Sequence, residues 1–173
     1  MDSYGYLHLP VEQLVRCNDA RSQPAFAAEA KELFPENGEY VVAGSRAGLL
    51  ILAQNEQALE MPVAILREVY GRVIAVHAPR ARLIGGARPR QPVMEVRISL
   101  ERRFAESVKE ALASRGATPA AEYAGANRCI LRYEAPLARL LGLPAELSRL
   151  TDGRARHWTV LSHYEEENRC LAR

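Results

Sequence analysis

Arginines carry most of the chemistry that this chain could perform. Lysine occurs only at Lys31 and Lys109, so guanidinium groups supply almost all of the positive charge, although the formal net charge is only +2. A guanidinium binds phosphate through parallel hydrogen bonds, but a GC-rich genome also favours arginine. Clustering is harder to explain by composition. Four arginines lie between His77 and Glu95 with no acidic residue among them: Arg80, Arg82, Arg88 and Arg90.

The other reactive residue types do not form the patterns of a catalytic or metal site. Ser107 and Ser162 lack the sequence context of an activated nucleophile, and the acidic run at 165–167 is typical of a solvated surface. The glycine-rich stretch at 44–48 lacks the Gly-Lys-Ser/Thr of a phosphate-binding loop. No metal-ligand spacing relates the four histidines, His8, His77, His157 and His163. We therefore predict no enzymatic activity, no cofactor, no metal and no binding of GTP.

Cysteine usage and hydropathy bear on the compartment. The three cysteines, Cys17, Cys129 and Cys170, are odd in number and widely spaced, which favours reduced thiols over disulfides or a zinc site. No apolar run approaches the roughly 18 residues of a membrane span, and the N-terminus does not read as a signal peptide. These observations predict a cytoplasmic protein that has no membrane association.

A change of hydrophobic period divides the C-terminal half into strands and helices. Apolar and polar residues alternate from Met94 to Ser99, which predicts a half-buried strand. From Glu101 to Arg115 the apolar residues repeat with helical period, and Gly116 is placed to end that helix. The pattern then predicts two strands, a helix that starts at Pro136 and breaks near Leu143, and a last strand, at 118–124, 128–134, 136–150 and 156–163. This βαββαβ order is ferredoxin-like.

The N-terminal half gives the same order with weaker signals. Tyr4, Tyr6 and His8 predict a strand, and residues 11–34 predict a largely helical segment interrupted near Pro24. A hairpin, a helix containing Pro62 and a closing strand follow at 40–43 with 49–53, 55–70 and 73–77. We therefore predict an α+β chain of two ferredoxin-like βαββαβ domains in tandem, at 1–84 and 93–173, joined by a Gly- and Pro-containing linker at 85–92.

The end of the chain carries a more specific pattern. Residues 148–154 read Ser-Arg-Leu-Thr-Asp-Gly-Arg, and residues 162–166 read Ser-His-Tyr-Glu-Glu. This pairing resembles domain V of translation elongation factor G, in which a Ser-Leu-Thr-x-Gly-Arg turn leads into a strand that ends near His-Tyr-Glu. The first half is similar to domain III of that family, although residues 44–52 lack the acidic residue and histidine of the family's hairpin. The GTPase domain and domain IV have no counterpart, so the succession is closer to BipA and the back-translocating elongation factor.

The resemblance implies a non-catalytic translation accessory protein. Domain V of the family lies against the factor-binding region of the large ribosomal subunit, near the sarcin–ricin loop, so rRNA and ribosomal protein are the implied partners. By the same resemblance the residues that contact rRNA phosphate are Arg149, Arg154 and Arg156. We predict help from four arginines in and just before the linker, which we call the connector arginines: Arg80, Arg82, Arg88 and Arg90. The turn at 151–156 has a second interpretation, in which it only caps a helix and orients a strand.

A binding module without a ribosomal role is the alternative. Ferredoxin-like sheets pair side by side or hold small ligands, so a dimer, or a decoy for an inhibitor of elongation factor G bound between the two domains, also fits the pattern. The sequence leaves the ligand and the oligomeric state open. Salt-sensitive co-sedimentation with large subunits distinguishes the two classes.

Overall fold

The chain divides into two compact units between Arg82 and Leu83. This computed structural model describes residues 6–19, 22–35 and 37–166, so Tyr4 of the predicted first strand and Cys170 lie outside the described residues. The sequence indicates a connector at 85–92, but residues 90–92 belong to a strand of the second unit. They pair with residues 164–166, and this pairing excludes them from a flexible linker.

The first unit is an antiparallel sheet with helices packed against it. The strands lie in the order β2-β3-β1-β4, with β5 also paired to β1, which is the ferredoxin-like arrangement. Helix α1 packs on β2 and β3, while α2 packs on β4. The elements are β1 (Val11–Cys17), α1 (Gln23–Lys31), β2 (Tyr40–Ser45), β3 (Gly48–Ala53), α2 (Glu60–Tyr70), β4 (Ile74–Val76) and β5 (Arg80–Ala81).

The start of this unit differs from the prediction. Residues 6–8 form a turn and not a strand, and the segment predicted to be helical opens with β1. Gln13 lies on the buried side of β1, where its Nε2 donates to a backbone carbonyl at 2.8 Å, while Leu14 lies on the other side. Val11, Leu14 and Val15 therefore have helical spacing although the segment is a strand. Pro24, predicted to interrupt a helix, instead lies in the first turn of α1.

The second unit confirms the predicted βαββαβ order. Its antiparallel sheet has the order β7-β8-β6-β9. The elements are β6 (Arg90–Glu101), α3 (Ala105–Ser114), β7 (Thr118–Ala124), β8 (Arg128–Pro136), α4 (Leu137–Leu140), α5 (Leu143–Leu150) and β9 (Arg156–Glu166). The chain is thus an α+β protein with two ferredoxin-like units in tandem.

The helices of the second unit cover one face of its sheet. Ile98 of β6 and Leu131 of β8 are fully buried, as are Val108, Leu112 and Leu147 of the helices. The opposite face carries exposed side chains, including Trp158 and Val160 of β9. We call it the open face. It consists of the residues that point away from the helices, such as those at 95, 97 and 99 of β6 and at 156, 158 and 160 of β9.

The break between α4 and α5 falls at Leu141 and Gly142, close to the predicted position. Gly142 has a φ of +79°, and Pro144 lies in the first turn of α5. Pro136, predicted to start the helix, is instead the last residue of β8, since its strand-like backbone still pairs with Val93. None of the helices among the described residues combines the length and apolarity needed to cross a membrane.

Candidate functional site

Three connections meet at one end of the second unit. They are the turn from β6 to α3, the hairpin turn between β7 and β8, and the loop from α5 to β9. The backbone N–H of Arg102 donates to the carbonyl oxygen of Asn127 at 3.0 Å, which joins the first two. Arg154 Nη1 lies 3.3 Å from Glu101 Oε1, which joins the first and third. The ferredoxin-like topology therefore gathers residues that are far apart in the chain.

These connections bring arginines together. Within residues 99–104, 125–128 and 149–156 the only acidic residues are Glu101 and Asp152. The positive charge of this end therefore exceeds the negative charge threefold by formal count, which favours an anionic partner. We call this surface the arginine end, and it comprises Arg102, Arg103, Arg128, Arg149, Arg154 and Arg156.

Glu101 holds two of these arginines in place. One carboxylate oxygen pairs with Arg154, and the other lies 2.9 Å from Nε of Arg103. The guanidinium of Arg103 also lies over the ring of Phe104, 4.5 Å from its centroid. Glu101 therefore offsets part of the positive charge of Arg103 and Arg154. A bound phosphate would have to compete with Glu101 for both guanidinium groups.

Two other arginines have no such partner. Arg149, in the last turn of α5, and Arg156, the first residue of β9, are both exposed. Neither side chain makes an ion pair or hydrogen bond with another residue of the described ranges. Both guanidinium groups are therefore available to a ligand. Arg149 and Arg156 are also among the site residues predicted from the sequence.

The loop between α5 and β9 is built by its own backbone and by one buried hydroxyl. Thr151 is fully buried, and its Oγ1 donates to the carbonyl oxygen of Leu147 at 2.7 Å while accepting from the N–H of Ala155 at 3.1 Å. Asp152 and Gly153 follow with φ of +51° and +71°, a left-handed turn that Gly adopts without strain. The Thr-Asp-Gly sequence therefore caps α5 and directs the arginines that flank it.

The connector arginines of the first unit have intramolecular partners. Arg80 Nε lies 2.5 Å from Glu12 Oε1, across the β5–β1 pair. Arg82 Nη1 donates to the carbonyl oxygen of Tyr6 at 2.6 Å. Arg80 thus links β5 to β1, and Arg82 links the segment after β5 to the turn at residues 6–8.

The connector arginines of the second unit lie away from the arginine end. Arg90 is the first residue of β6, whereas the arginine end adjoins the last, and its Nη2 donates to the carbonyl oxygen of Tyr164 at 2.5 Å. Arg88 lies 4.0 Å from Glu166, a long and exposed ion pair. The structure therefore does not bring these residues together with Arg149, Arg154 and Arg156.

Sequence reasoning missed three members of the arginine end, namely Arg102, Arg103 and Arg128. These three arginines can be grouped only from the order of the secondary-structure elements. In a βαββαβ unit the first, third and fifth connections lie at the same end, so the residues at these connections could have been grouped once the element order was predicted. Arg128 Nη2 donates to the carbonyl oxygen and Oγ of Ser99 at 3.3 and 3.2 Å, which fixes it beside β6.

The described residues offer little for other chemistry. No cluster of three histidine, cysteine or acidic side chains able to hold a metal occurs among them. Cys129 is buried, and this burial raises the pKa of its thiol, so it is a poor nucleophile at neutral pH. A cavity of about 410 Å³ opens in the first unit between α1 and β2, and its lining includes Tyr6, Lys31, Phe34 and Tyr40.

The comparisons with known proteins bear on the second unit. Residues 91–172 match the family model described as the elongation factor G C-terminus. The second unit is similar to the elongation factor G C-terminus. This match confirms the resemblance carried by residues 148–154 and 162–166. No curated protein matches the chain.

A solved structure extends the likeness in fold to the first unit. A crystal structure of a protein from Thermus thermophilus aligns with 94% of this chain at a TM-score of 0.65 and 13% sequence identity. At this identity the likeness concerns the fold alone. The chain spans 42% of the length of that Thermus protein.

Proposed function

We propose that this protein is a non-catalytic translation accessory protein whose arginine end contacts rRNA phosphate in the factor-binding region of the large ribosomal subunit. The observation that carries the proposal is the convergence of six arginines and only two acidic residues at one end of an elongation factor G-like unit. Such a function would be performed in the cytoplasm, and it requires no cofactor.

The arginines of this end differ in how readily they can bind a phosphate. Arg149 and Arg156 can bind a phosphate without losing an existing contact, because they form no ion pair within the described residues. Arg154 first has to share Glu101, which lowers its net gain on binding. We therefore propose Arg149 and Arg156 as the main contacts, with Arg154 as a third.

We propose a smaller role in rRNA binding for the connector arginines. Arg80, Arg82, Arg88 and Arg90 each have an intramolecular partner, and the last two lie at the far end of β6 from the arginine end. We propose that they reinforce the field that attracts rRNA more than they bind phosphate directly.

Co-sedimentation with purified large subunits over a range of salt concentrations tests the proposal. Each phosphate contact adds about 0.7–0.9 to the slope of log affinity against log salt concentration. The double variant Arg149→Ala, Arg156→Ala should bind several-fold more weakly than wild type, and its slope should fall by about 1.4–1.8. The matched control is Arg67→Ala, Arg72→Ala, which removes two exposed arginines from the first unit.

Two outcomes would contradict this proposal. One is a wild-type protein that does not bind large subunits even at low salt. The other is equal loss of binding by both double variants, because net charge alone would then explain the effect and the arginine end would have no special part.

The cavity of the first unit favours a second candidate, a small-ligand module. Aromatic side chains and Lys31 line it, a combination that suits an apolar anion. Titration with the dye 1-anilinonaphthalene-8-sulfonate should then give saturable fluorescence that Phe34→Ala abolishes. Unsaturable fluorescence, or fluorescence unchanged by Phe34→Ala, would exclude this site.

A further inference from the structure

The open face of the second sheet exposes aromatic and apolar side chains. Trp158 and Val160 are adjacent on this face of β9, and 52% and 57% of their surfaces are accessible. With Glu95 and Arg97 they line a shallow hollow of about 250 Å³. Tyr123 of β7, also more than half exposed, lies on the same face at the other edge of the sheet. Large exposed aromatic side chains in a sheet surface are typical of a binding site.

The charges around Trp158 favour an anionic ligand. Arg97 lies directly opposite Trp158 in the β6–β9 pairing, and Arg156 precedes it by two residues on the same face. Neither arginine has an ion-pair partner among the residues that the structure describes. The indole thus has two neighbouring guanidinium groups that form no ion pair within the described residues.

The carboxylates of the open face are already engaged. Both oxygens of Glu95 accept hydrogen bonds from Arg132, at 3.1 and 2.9 Å. Glu134 accepts a hydrogen bond from the hydroxyl of Ser162 at 2.7 Å. Arg97 contributes to the lowered pKa of Glu95 through its charge, but it forms no ion pair with either carboxylate.

This arrangement argues against a second copy of the chain as the occupant. In a two-fold dimer the same patch lies on both sides of the interface, so the Arg97 and Arg156 side chains of both copies would be buried in one interface. Gathering four guanidinium groups that have no ion-pair partner costs free energy. A ligand that combines planar rings with negative charge removes the conflict.

We propose that the open face binds a short single-stranded RNA segment, with one base stacked on Trp158 and the adjoining phosphates held by Arg97 and Arg156. Exposed aromatic side chains on a four-stranded sheet, flanked by cationic ones, suit this ligand because bases present flat apolar faces and the backbone presents phosphates. Arg156 belongs to both the arginine end and the open face, so a bound RNA strand could extend from one surface to the other. The choice of RNA over DNA rests on the proposed function.

The chain contains a single tryptophan, so its fluorescence reports on this site alone. Octauridylate and octaadenylate RNA should quench the emission of Trp158 in the full chain saturably, because a stacked base quenches an indole. Arg97→Ala should weaken binding about tenfold and flatten its salt dependence, whereas the control Arg67→Ala should leave both unchanged. An RNA duplex of equal length should not quench, because its bases are already stacked.

Variants of Trp158 separate stacking from charge. With a dye-labelled octamer followed by anisotropy, Trp158→Ala should weaken binding tenfold or more and Trp158→Phe should retain most of it. The side chain is exposed, so both variants should unfold at nearly the wild-type temperature. Equal binding by wild type and Trp158→Ala would overturn the inference, as would tighter binding of single-stranded DNA. Emission that shifts with protein concentration in the absence of RNA would instead identify a second copy as the occupant.

The two proposals fail separately. If large subunits bind but RNA octamers do not quench Trp158, the open face is not an RNA site and the proposed function stands. If octamers bind and large subunits do not, the RNA site stands and the ribosomal assignment is wrong.

Discussion

Individual arginines of the second unit differ in what surrounds them. Arg132 forms a bidentate pair with Glu95, and this hydrogen bonding lowers the pKa of Glu95 and raises that of Arg132. Arg97, directly opposite Arg132 in the β6–β8 pairing, has no such partner among the described residues. The availability of a guanidinium for a ligand therefore depends on the nearest carboxylate and not on exposure alone.

The Glu95–Arg132 pair predicts a pH dependence of stability. A lowered pKa in the folded state means that the pair stabilises the fold above the ordinary carboxyl pKa of 4.5 and that this contribution is lost as pH falls through the folded value. Wild type should therefore be more stable than Glu95→Gln at pH 7, and the two should converge at a pH below the folded value. Water screens both side chains, which are about one-third exposed, so the difference should be small.

Denaturant unfolding at neutral pH and in acid checks this prediction. Glu68→Gln, an exposed position of α2 with no ion pair in the described part of the chain, is the control substitution. A stability difference for Glu95→Gln that stays constant between the two conditions would contradict the assigned role.

Among the secondary-structure elements, the sequence predicts those in which burial follows one simple period. Strand β6 alternates buried and exposed residues through Val96 and Ile98, so its period is visible, and α3 is visible for the same reason. The prediction for β1 is wrong because Gln13 lies on its buried side and Leu14 on the other. The compensating hydrogen bond of Gln13 reaches a carbonyl 64 residues away, which no local pattern reveals.

The candidate site is predictable only in part for a related reason. Arg149, Arg154 and Arg156 lie in one short segment and are found from it. The arginines contributed by other connections depend on strand order, a property of the whole unit. The connector arginines have intramolecular partners that lie far away in the chain. Such tertiary contacts cannot be predicted from the local sequence.

The hydroxyl of Thr151 should stabilise the loop between α5 and β9. Thr151→Val keeps the shape of the side chain but removes the hydroxyl, so the N–H of Ala155 and the carbonyl oxygen of Leu147 both lose a bond. We expect a loss of about 1–3 kcal/mol in the free energy of unfolding, and faster hydrogen exchange at the amide of Ala155. Thr151→Ser keeps the hydroxyl and should cost less than about 1 kcal/mol. Equal losses for the two variants would show that the hydroxyl does not support the loop.

The whole molecule consists of two units, each with its own sheet and core. The proposed limits of its domains can be tested with fragments. Fragment 83–173 should fold and give the same amide NMR spectrum for its core as the full chain. Fragment 93–173 lacks the pairing of residues 90–92 with 164–166 and the hydrogen bond from Gln91 Nε2 to Glu165 Oε1, so it should unfold at a lower temperature. Equal stability of the two fragments would favour the later boundary.

The proposed function requires the arginine end to contact the factor-binding region of the large subunit. Hydroxyl-radical footprinting of large-subunit rRNA tests it most directly, because it reports where the protein binds as well as whether it binds. Wild-type protein should protect nucleotides in that region, including the sarcin–ricin loop, and Arg149→Ala, Arg156→Ala should lose this protection while Arg67→Ala, Arg72→Ala retains it. Protection elsewhere on the subunit, or a footprint unchanged by the first double variant, would contradict the account.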